Sequence, residues 1–188
     1  MKKLTQISII TALCLHTLMG VSQNIPTSRD PKYNATINPK YNATINPTYT
    51  ATINPKYNAT INPKYNATIN PEDNATINPK YNATINPKYN ATINPKYNAT
   101  IDPKISSTEG LFLFGQGGEL TGLLVVANEF VMNWYSPNLE ILGTAVSNGD
   151  GGFNLFNEDG DWQGYLLKNG NGNYNMFDKN GVWIGFTT

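Results

Sequence analysis

The chain has 188 residues, of which 39% are hydrophobic and 14% charged, and its formal net charge at pH 7 is zero. This balance by itself points neither to a nucleic acid nor to an acidic partner. The single cysteine and the single histidine, Cys14 and His16, both lie in the first 22 residues. Without that segment, the chain has no residue for a disulfide, a thiolate nucleophile, a histidine general base or a Cys/His zinc site.

The first 22 residues have the organisation of a bacterial-type signal peptide. Two lysines form a positive n-region, residues 7–18 are mostly apolar, and Gly20-Val21-Ser22 supplies small residues at the cleavage position. The apolar run is too short for a permanent membrane span. We therefore predict cleavage after Ser22, a secreted or cell-surface protein, and no transmembrane segment in the mature chain. A lipidated Cys14 is an alternative, which the large residue before it disfavours.

Residues 23–104 are dominated by an octapeptide repeat of the form Pro-Lys-Tyr-Asn-Ala-Thr-Ile-Asn. Ten prolines recur at a constant step of eight and bound nine units; they lie at positions 31, 39, 47, 55, 63, 71, 79, 87, 95 and 103. Departures from the repeat are few: Thr48, Thr50, Glu72, Asp73 and Asp102. Near-identity of this kind indicates expansion of the tract by copying.

The octads alternate in polarity. In an extended unit, Tyr33, Ala35 and Ile37 point to one face and Asn34 and Thr36 to the other, until Asn-Pro breaks the run. Burying the three apolar side chains of one unit is worth roughly 3–5 kcal/mol, whereas ordering its backbone costs roughly 8–16 kcal/mol. We therefore predict a largely extended or disordered spacer. A ribbon of short stacked strands joined by Asn-Pro-Lys turns is the alternative.

The tract also repeats a modification motif. Eight units contain Asn-Ala-Thr, the acceptor pattern for N-glycosylation, beginning at positions 34, 42, 58, 66, 74, 82, 90 and 98. In a eukaryotic secreted protein this pattern would predict a sugar-coated stalk. Because the signal peptide is of the bacterial type, we favour plain polar residues of a copied unit.

Residues 105–188 contain a second repeat, with a period of 21. It is anchored on Gly122, Gly143, Gly164 and Gly185, and the four units run over 111–123, 132–144, 153–165 and 174–186. Alternating apolar residues followed by Asp-Gly or Asn-Gly and then Trp are typical of a β-hairpin. We predict an all-β domain of about eight short antiparallel strands, a meander that curls into a roll or small barrel with Phe, Trp, Leu and Val inside.

These units carry the motifs Gly160-Asp-Trp-Gln-Gly164 and Gly181-Val-Trp-Ile-Gly185. In this respect residues 111–186 resemble short β-hairpin repeats of the MORN and WG types. The whole arrangement also resembles uncharacterised secreted bacterial proteins that carry Ile-Asn-Pro-Lys-Tyr-Asn repeats. Neither resemblance implies a function.

Charge is divided between the two halves. Residues 104–188 hold three basic and nine acidic side chains (net −6), and residues 23–103 hold eight basic and four acidic ones (net +4). An acidic β-domain makes a nucleic acid an unsuitable partner. The basic tract is compatible with anionic surface polymers, although one charge per octad is sparse and a solvated surface explains it more simply.

Candidate chemistry is limited. Asn157, Asp159 and Asp161 alternate in a predicted turn, as in some Ca²⁺ loops, but turn formation explains these residues better. Glu158 and Asp161 share one exposed turn with no cleft, which argues against a glycosidase pair. We therefore predict no enzyme activity, no cofactor and no metal site.

Tryptophans are the remaining candidate ligand-binding residues: Trp134, Trp162 and Trp183. Their rings suit stacking on pyranose sugars, although a core position is favoured for Trp162 and Trp183. Two functional hypotheses remain. The first is a secreted or cell-surface structural or adhesion-like protein, in which a repeat spacer presents a small β-module. The alternative is an extracellular carbohydrate-binding module. Extracellular polysaccharide and cell-surface protein are the candidate partners.

Overall fold

The structure is a computed structural model that describes residues 25–106 and 110–188. The predicted signal peptide, with Cys14 and His16, lies outside these residues. Within them, no helix has the length and apolar character needed to cross a membrane.

The C-terminal half is all-β, as the sequence predicts. Eight antiparallel strands follow one another around a closed barrel, each paired with its chain neighbours, and β1 also pairs with β8. The strands are β1 (Gly110–Gly115), β2 (Leu120–Val126), β3 (Val131–Tyr135), β4 (Ile141–Ser147), β5 (Phe153–Asn157), β6 (Trp162–Lys168), β7 (Tyr174–Asp178) and β8 (Trp183–Thr187).

The 21-residue repeat corresponds to one hairpin, and each hairpin contains the same irregularity. The register shifts at the aromatic residue in the fourth position of every unit: Phe114, Tyr135, Phe156 and Phe177. A repeated bulge bends and twists the strands at each corner, which helps a short sheet to close on itself. Three of the four hairpin turns have glycine at a positive φ, and Leu139 takes that conformation in the fourth, with φ 61°.

Both faces of the barrel wall are buried. Side chains from seven strands converge in one apolar cluster, a convergence that requires the inside of a closed barrel: Leu113, Leu124, Met132, Ala145, Leu155, Leu166 and Met176. The alternate residues point outward, yet Phe156, Tyr165 and Phe177 are at most 1% exposed. They belong to separate clusters that also contain isoleucines of the octapeptide tract. The tract therefore covers the outer face of the barrel.

Each octad of the tract folds as two consecutive turns. Asn38 O accepts the N–H groups of Tyr41 and Asn42 at 3.0 and 2.9 Å, and the chain then makes a short 3-10 turn that ends at Ile45. The 3-10 segments are Thr27–Arg29, Ala43–Ile45, Ala51–Ile53, Ala59–Ile61, Ala75–Ile77, Ala83–Ile85, Ala91–Ile93 and Ala99–Ile101. We call residues 31–102 the octad collar.

Asparagine side chains hold one octad to the next. Asn42 Oδ1 accepts from the N–H and the hydroxyl of Thr44, and its Nδ2 donates to Thr36 O in the preceding octad at 2.7 Å. Asn46, which precedes a proline, donates to Pro39 O at 2.9 Å and accepts from the Thr48 N–H. Repetition of these bonds gives the backbone polar groups partners without a sheet or a long helix.

The collar therefore differs from the extended or disordered spacer favoured by the sequence, and from the alternative of stacked strands. Tyr33 and Ile37 do not share a face along an extended strand: tyrosines point to solvent, while six of the nine isoleucines are buried. Two contributions that an isolated octad lacks stabilise the collar, namely the asparagine hydrogen bonds between octads and the apolar surface that the barrel supplies for burial.

The octads of the collar and the hairpins of the barrel contact one another in a fixed ratio. Buried asparagines at the second position of three barrel units donate to isoleucine carbonyls of the collar. The pairs are Asn133 with Ile93 (3.1 Å), Asn154 with Ile69 (3.0 Å) and Asn175 with Ile45 (2.9 Å). The donors are 21 residues apart and the acceptors 24, so three octads span one hairpin. The collar thus follows three of the four hairpins, in the direction opposite to the strand order.

The remaining hairpin, β1–β2, has Phe112 at the position of these asparagines. The segment that leads into the collar contacts the barrel at this hairpin. The Arg29 guanidinium lies 4.8 Å from the Phe112 ring centroid and donates to the carbonyls of Gly110 and Thr188. Thr188 Oγ1 in turn donates to Arg29 O at 2.6 Å. At the other end of the collar, the Tyr135 hydroxyl donates to Ile101 O at 3.3 Å. Both ends of the collar are therefore attached to the barrel.

Candidate binding surfaces

The three tryptophans predicted as ligand-binding residues lie on two faces of the barrel wall. Trp134 packs against the interior cluster, and its indole N–H is buried with no hydrogen-bond partner among the described residues. Trp162 and Trp183 pack on the outer face, and each indole donates to the carbonyl of the glycine two residues later, at 2.7 and 2.6 Å. The structure therefore does not bring the three rings together on one sugar-binding face.

Trp162 nevertheless lines a groove between the collar and the barrel rim. The groove has a volume of about 530 Å³, and the exposed phenol of Tyr81 and the side chain of Gln163 also line it. Across the outer face, the Trp162 ring stacks on Tyr165 with centroids 6.2 Å apart, so the indole is held in place by its packing. An aromatic ring beside amide and charged groups is an arrangement that can bind a polar ligand with an apolar face.

An ion pair closes one side of this groove. Lys80 Nζ of the collar lies 2.5 Å from Asp161 Oδ1 of the β5–β6 turn, and both side chains are about half exposed. The hydrogen bond to Asp161 raises the pKa of the Lys80 ammonium, and the same bond lowers the pKa of the Asp161 carboxyl. Because the pair is exposed, it serves mainly to fix the position of the collar on this turn and adds little stability.

The one acidic octad faces the one basic hairpin turn. Glu72 stands where most octads have lysine, and it lines the same groove as Lys179 of the β7–β8 turn. A lysine at position 72 would put two ammonium groups around this groove beside Lys80. The substitution therefore matches the charge of the collar to that of the barrel at this position.

Two of the three side chains considered for metal binding, those of Asn157 and Asp161, already have hydrogen-bond partners. Asn157 Oδ1 accepts the Asp161 N–H at 2.7 Å, and the Asp161 carboxylate is the partner of Lys80. In the ranges 25–106 and 110–188, no three His, Cys, Asp or Glu side chains form a group that could hold a metal ion. Glu158 and Asp161 remain on one exposed turn, as the sequence indicated, but the expectation of no cleft is wrong, because Asp161 lines the groove of about 530 Å³.

A second surface, which the sequence did not predict, covers the outside of the collar. Eight octads expose their tyrosine, with 64–74% of the residue accessible: Tyr33, Tyr41, Tyr49, Tyr57, Tyr65, Tyr81, Tyr89 and Tyr97. In six of them the ammonium of the preceding lysine lies 5.3–6.0 Å from the ring centroid. We call these tyrosines and lysines the tyrosine–lysine array.

The two octads without this contact have simple explanations. Tyr49 follows Thr48 in place of lysine, and Lys80, next to Tyr81, is drawn to Asp161. The signal for the array was present in the sequence as the repeated Lys-Tyr pair. It was missed because an extended unit placed tyrosine on the same face as isoleucine.

The Asn-Ala-Thr asparagines have a structural role in the collar. Each accepts hydrogen bonds from the threonine two residues later, and each Nδ2 donates to a carbonyl six residues earlier, as in Asn90 to Thr84 O at 2.7 Å. The amide nitrogen that a glycan would require is therefore already engaged in holding neighbouring octads together.

Comparison of the chain with models of protein families, with curated proteins and with solved structures found no match.

Proposed function

We propose that the protein is an exported, non-catalytic structural protein that adheres to extracellular material through the tyrosine–lysine array. The observation that carries this proposal is the exposure of one tyrosine in each of eight octads, while the isoleucines and asparagines of the same octads hold the fold. Exposed aromatic rings that do not support the core are typical of contact surfaces.

The structure changes how such a protein would present its contacts. The collar is attached to the barrel at both ends, so it does not hold the β-domain away from a surface as a spacer would. Its tyrosines instead stand in a curved row around one compact body. A row of equivalent weak contacts binds an extended partner by multivalency, in which each further contact forms at a high effective concentration.

Retention of the intact chain on immobilised extracellular polymers tests this proposal. We compare the double variant Tyr57→Ser/Tyr65→Ser with Val126→Ser/Phe130→Ser, which removes two exposed apolar side chains of the barrel. We expect the tyrosine variant to be retained about fivefold less or weaker still, and the barrel variant to be retained like the parent chain. Equal retention of all three proteins would exclude the array as the adhesive surface.

A second candidate function is binding of a neutral oligosaccharide in the Trp162 groove. It is favoured by the position of this indole beside Tyr81, Gln163 and the Lys80–Asp161 pair in a space of about 530 Å³. The ring face can stack on the apolar face of a pyranose, and the side chains of both charges can bond its hydroxyl groups.

Calorimetric titration with a panel of neutral oligosaccharides tests this candidate. Trp162→Leu should abolish the binding heat. Trp183→Leu is the matched control, because Trp183 has the same repeat position and the same indole hydrogen bond and does not line this groove. Thermal melting of both variants shows whether they remain folded. Absence of binding by the parent chain, or equal loss in both variants, would reject the groove as the site.

A further inference from the structure

We infer that the tyrosine–lysine array binds an acidic polysaccharide, a chain of pyranose rings with carboxylate groups at regular intervals. This inference rests on the proposed function and specifies the class of its partner. It follows from three properties of the array: its charge, the chemistry of each repeated pair and the spacing of the pairs.

The charge of the array has one sign over long stretches. Residues 31–71 contain four lysines and no acidic residue, and residues 74–101 contain three lysines and no acidic residue. Only the Glu72-Asp73 octad interrupts this pattern. Six of these seven lysines lie over their own tyrosine rings rather than in salt bridges, whereas Lys80 pairs with Asp161. The array therefore presents cations that are available to an anionic partner.

Each pair combines two kinds of recognition. The tyrosine offers an exposed ring face and a hydroxyl, and the lysine offers an ammonium held close to that ring, as in Lys56 and Tyr57 at 5.4 Å. A ring face packs on the C–H face of a pyranose, and an ammonium bonds a carboxylate on the same or the next sugar. A neutral polymer would use the ring alone, and an acidic polypeptide would use the ammonium alone.

The spacing of the pairs separates a polysaccharide from a nucleic acid. Strands about 4.8 Å apart give an eight-stranded barrel a radius of roughly 8 Å, and a layer packed about 10 Å outside it lies roughly 18 Å from the axis. Three octads per hairpin correspond to twelve per full turn, so successive pairs are roughly 9 Å apart along the collar. This is about the length of two linked pyranose rings. DNA carries one charge per about 1.7 Å as a duplex and per about 3.4 Å along one strand, and both are denser than the lysines.

The test measures binding of the intact chain to polygalacturonate in calcium-free buffer. Methyl-esterified polygalacturonate is the neutral control, and polyglutamate and single-stranded DNA of equal charge are the alternative anions. We expect polygalacturonate to bind most tightly and to lose at least about tenfold in affinity when salt is raised from about 50 to 200 mM. The methyl ester should bind at least about tenfold more weakly than polygalacturonate.

Variants assign the binding to the array. Neutralising five lysines, at positions 40, 56, 64, 88 and 96, by Lys→Gln should lower affinity for polygalacturonate at least about tenfold, while Lys→Arg at the same positions should preserve it. Lys168→Gln removes a barrel charge outside the array and should leave affinity unchanged. Tyr57→Ser/Tyr65→Ser should weaken binding of polygalacturonate more than that of polyglutamate.

The outcomes separate this inference from the proposed function. No binding of polygalacturonate, equal binding of its methyl ester, or equal or tighter binding of polyglutamate or DNA would overturn the assignment of an acidic polysaccharide. If the tyrosine variant still loses retention on extracellular material in that case, the adhesive array stands and its partner belongs to another class. If that retention is unaffected, the array itself is excluded.

Discussion

The octad collar and the barrel are both built from repeats, but they satisfy their backbone groups in different ways. In the barrel, neighbouring strands exchange N–H and C=O bonds, so the side chains of one unit can differ from those of the next. In the collar, asparagine side chains provide the bonds between octads, as Asn42 does by donating to Thr36 O and Asn46 by accepting from the Thr48 N–H. The identity of the asparagines is therefore a structural requirement in the collar.

This difference explains the two degrees of divergence. Copying accounts for the origin of the near-identical octads. The hydrogen bonds that the asparagine side chains make within and between octads supply a physical reason for retaining these asparagines. The exception agrees with this view: Thr50, which replaces one of these asparagines, donates through its hydroxyl to Ala43 O at 2.8 Å. In the barrel, the repeated features are those of backbone shape, namely the bulge and the turn conformation, and Leu139 shows that even the turn glycine can be replaced.

The largest expected effect comes from a substitution at the junction between the collar and the barrel. Asn154 is fully buried, and its amide donates to Ile69 O. Asn154→Asp places a carboxylate against that carbonyl, and we expect the free energy of unfolding at pH 7 to fall by about 3–5 kcal/mol. Protonation of the new carboxyl should restore part of this stability in acid, which denaturant titrations at several pH values would measure.

Asn154→Leu is the control for this junction. It also removes the hydrogen bond but introduces no charge, so it should cost about 1–3 kcal/mol with no comparable pH dependence. If the Asp and Leu variants were equally stable at pH 7, the collar would not be closed over this position.

The next prediction tests whether buried isoleucines of the collar stabilise the protein as core residues do. Ile93 is fully buried in a cluster with Val131, Val146 and Phe156. Ile93→Ala should lower the free energy of unfolding by about 2–5 kcal/mol, whereas Ile53→Ala, at a partly buried octad, should cost less. Denaturation followed by tryptophan fluorescence and by hydrogen exchange of the collar gives both values. Equal, small costs at the two positions would support the spacer in place of the collar.

A smaller effect probes a bond between octads. Asn90 caps the turn of Thr92 and donates to Thr84 O. Asn90→Ala should cost about 1–2 kcal/mol and increase hydrogen exchange locally, in the two octads that it joins. Asn90→Thr should be milder, because Thr50 shows how a hydroxyl replaces one of these bonds. A uniform increase of exchange through the whole chain would show instead that the octads do not act as separate units.

The sequence predicted the barrel far better than the collar. Alternating apolar residues, turn glycines and a period of 21 are local features, and they sufficed for eight antiparallel strands. Closure of the barrel and docking of the collar depend on contacts between distant residues. One signal was available: three of the four units have asparagine at their second position, within an otherwise apolar strand. A polar side chain repeated at such a position needs a partner, and that partner was the tract.

For the candidate surfaces too, the sequence identified residues but not where the fold places them. The repeated Trp162 and Trp183 were found from their motif, but their separation from Trp134 by the barrel wall follows from strand parity around the repeated bulges. The tyrosine–lysine array was missed because its exposure depends on the turns of the octad. The periodicity of the sequence identified the residues, and the turn geometry determined which of them face solvent.

The smallest effect concerns a buried phenol between the two regions. Tyr165 is 1% exposed, stacks on Phe177 with centroids 5.6 Å apart, and its hydroxyl has no hydrogen-bond partner among the described residues. Tyr165→Phe removes an unsatisfied polar atom and keeps the ring, so stability at neutral pH should stay the same or rise by up to about 1 kcal/mol. Tyr81→Phe, on the exposed array, should leave the free energy of unfolding unchanged.

The Tyr165→Phe variant should also change how the stability of the protein depends on pH in alkaline solution. Burial raises the pKa of the Tyr165 phenol, so the folded protein keeps this proton at a pH at which the unfolded chain, with an ordinary pKa near about 10, has lost it. Titration of this phenol therefore leaves stability unaffected below pH of about 10 and lowers it as the pH rises further, by up to about 1.4 kcal/mol per pH unit. Tyr165→Phe should flatten this alkaline decline in denaturation experiments between pH of about 9 and 11, and an unchanged slope would place the Tyr165 hydroxyl in water rather than beneath the collar.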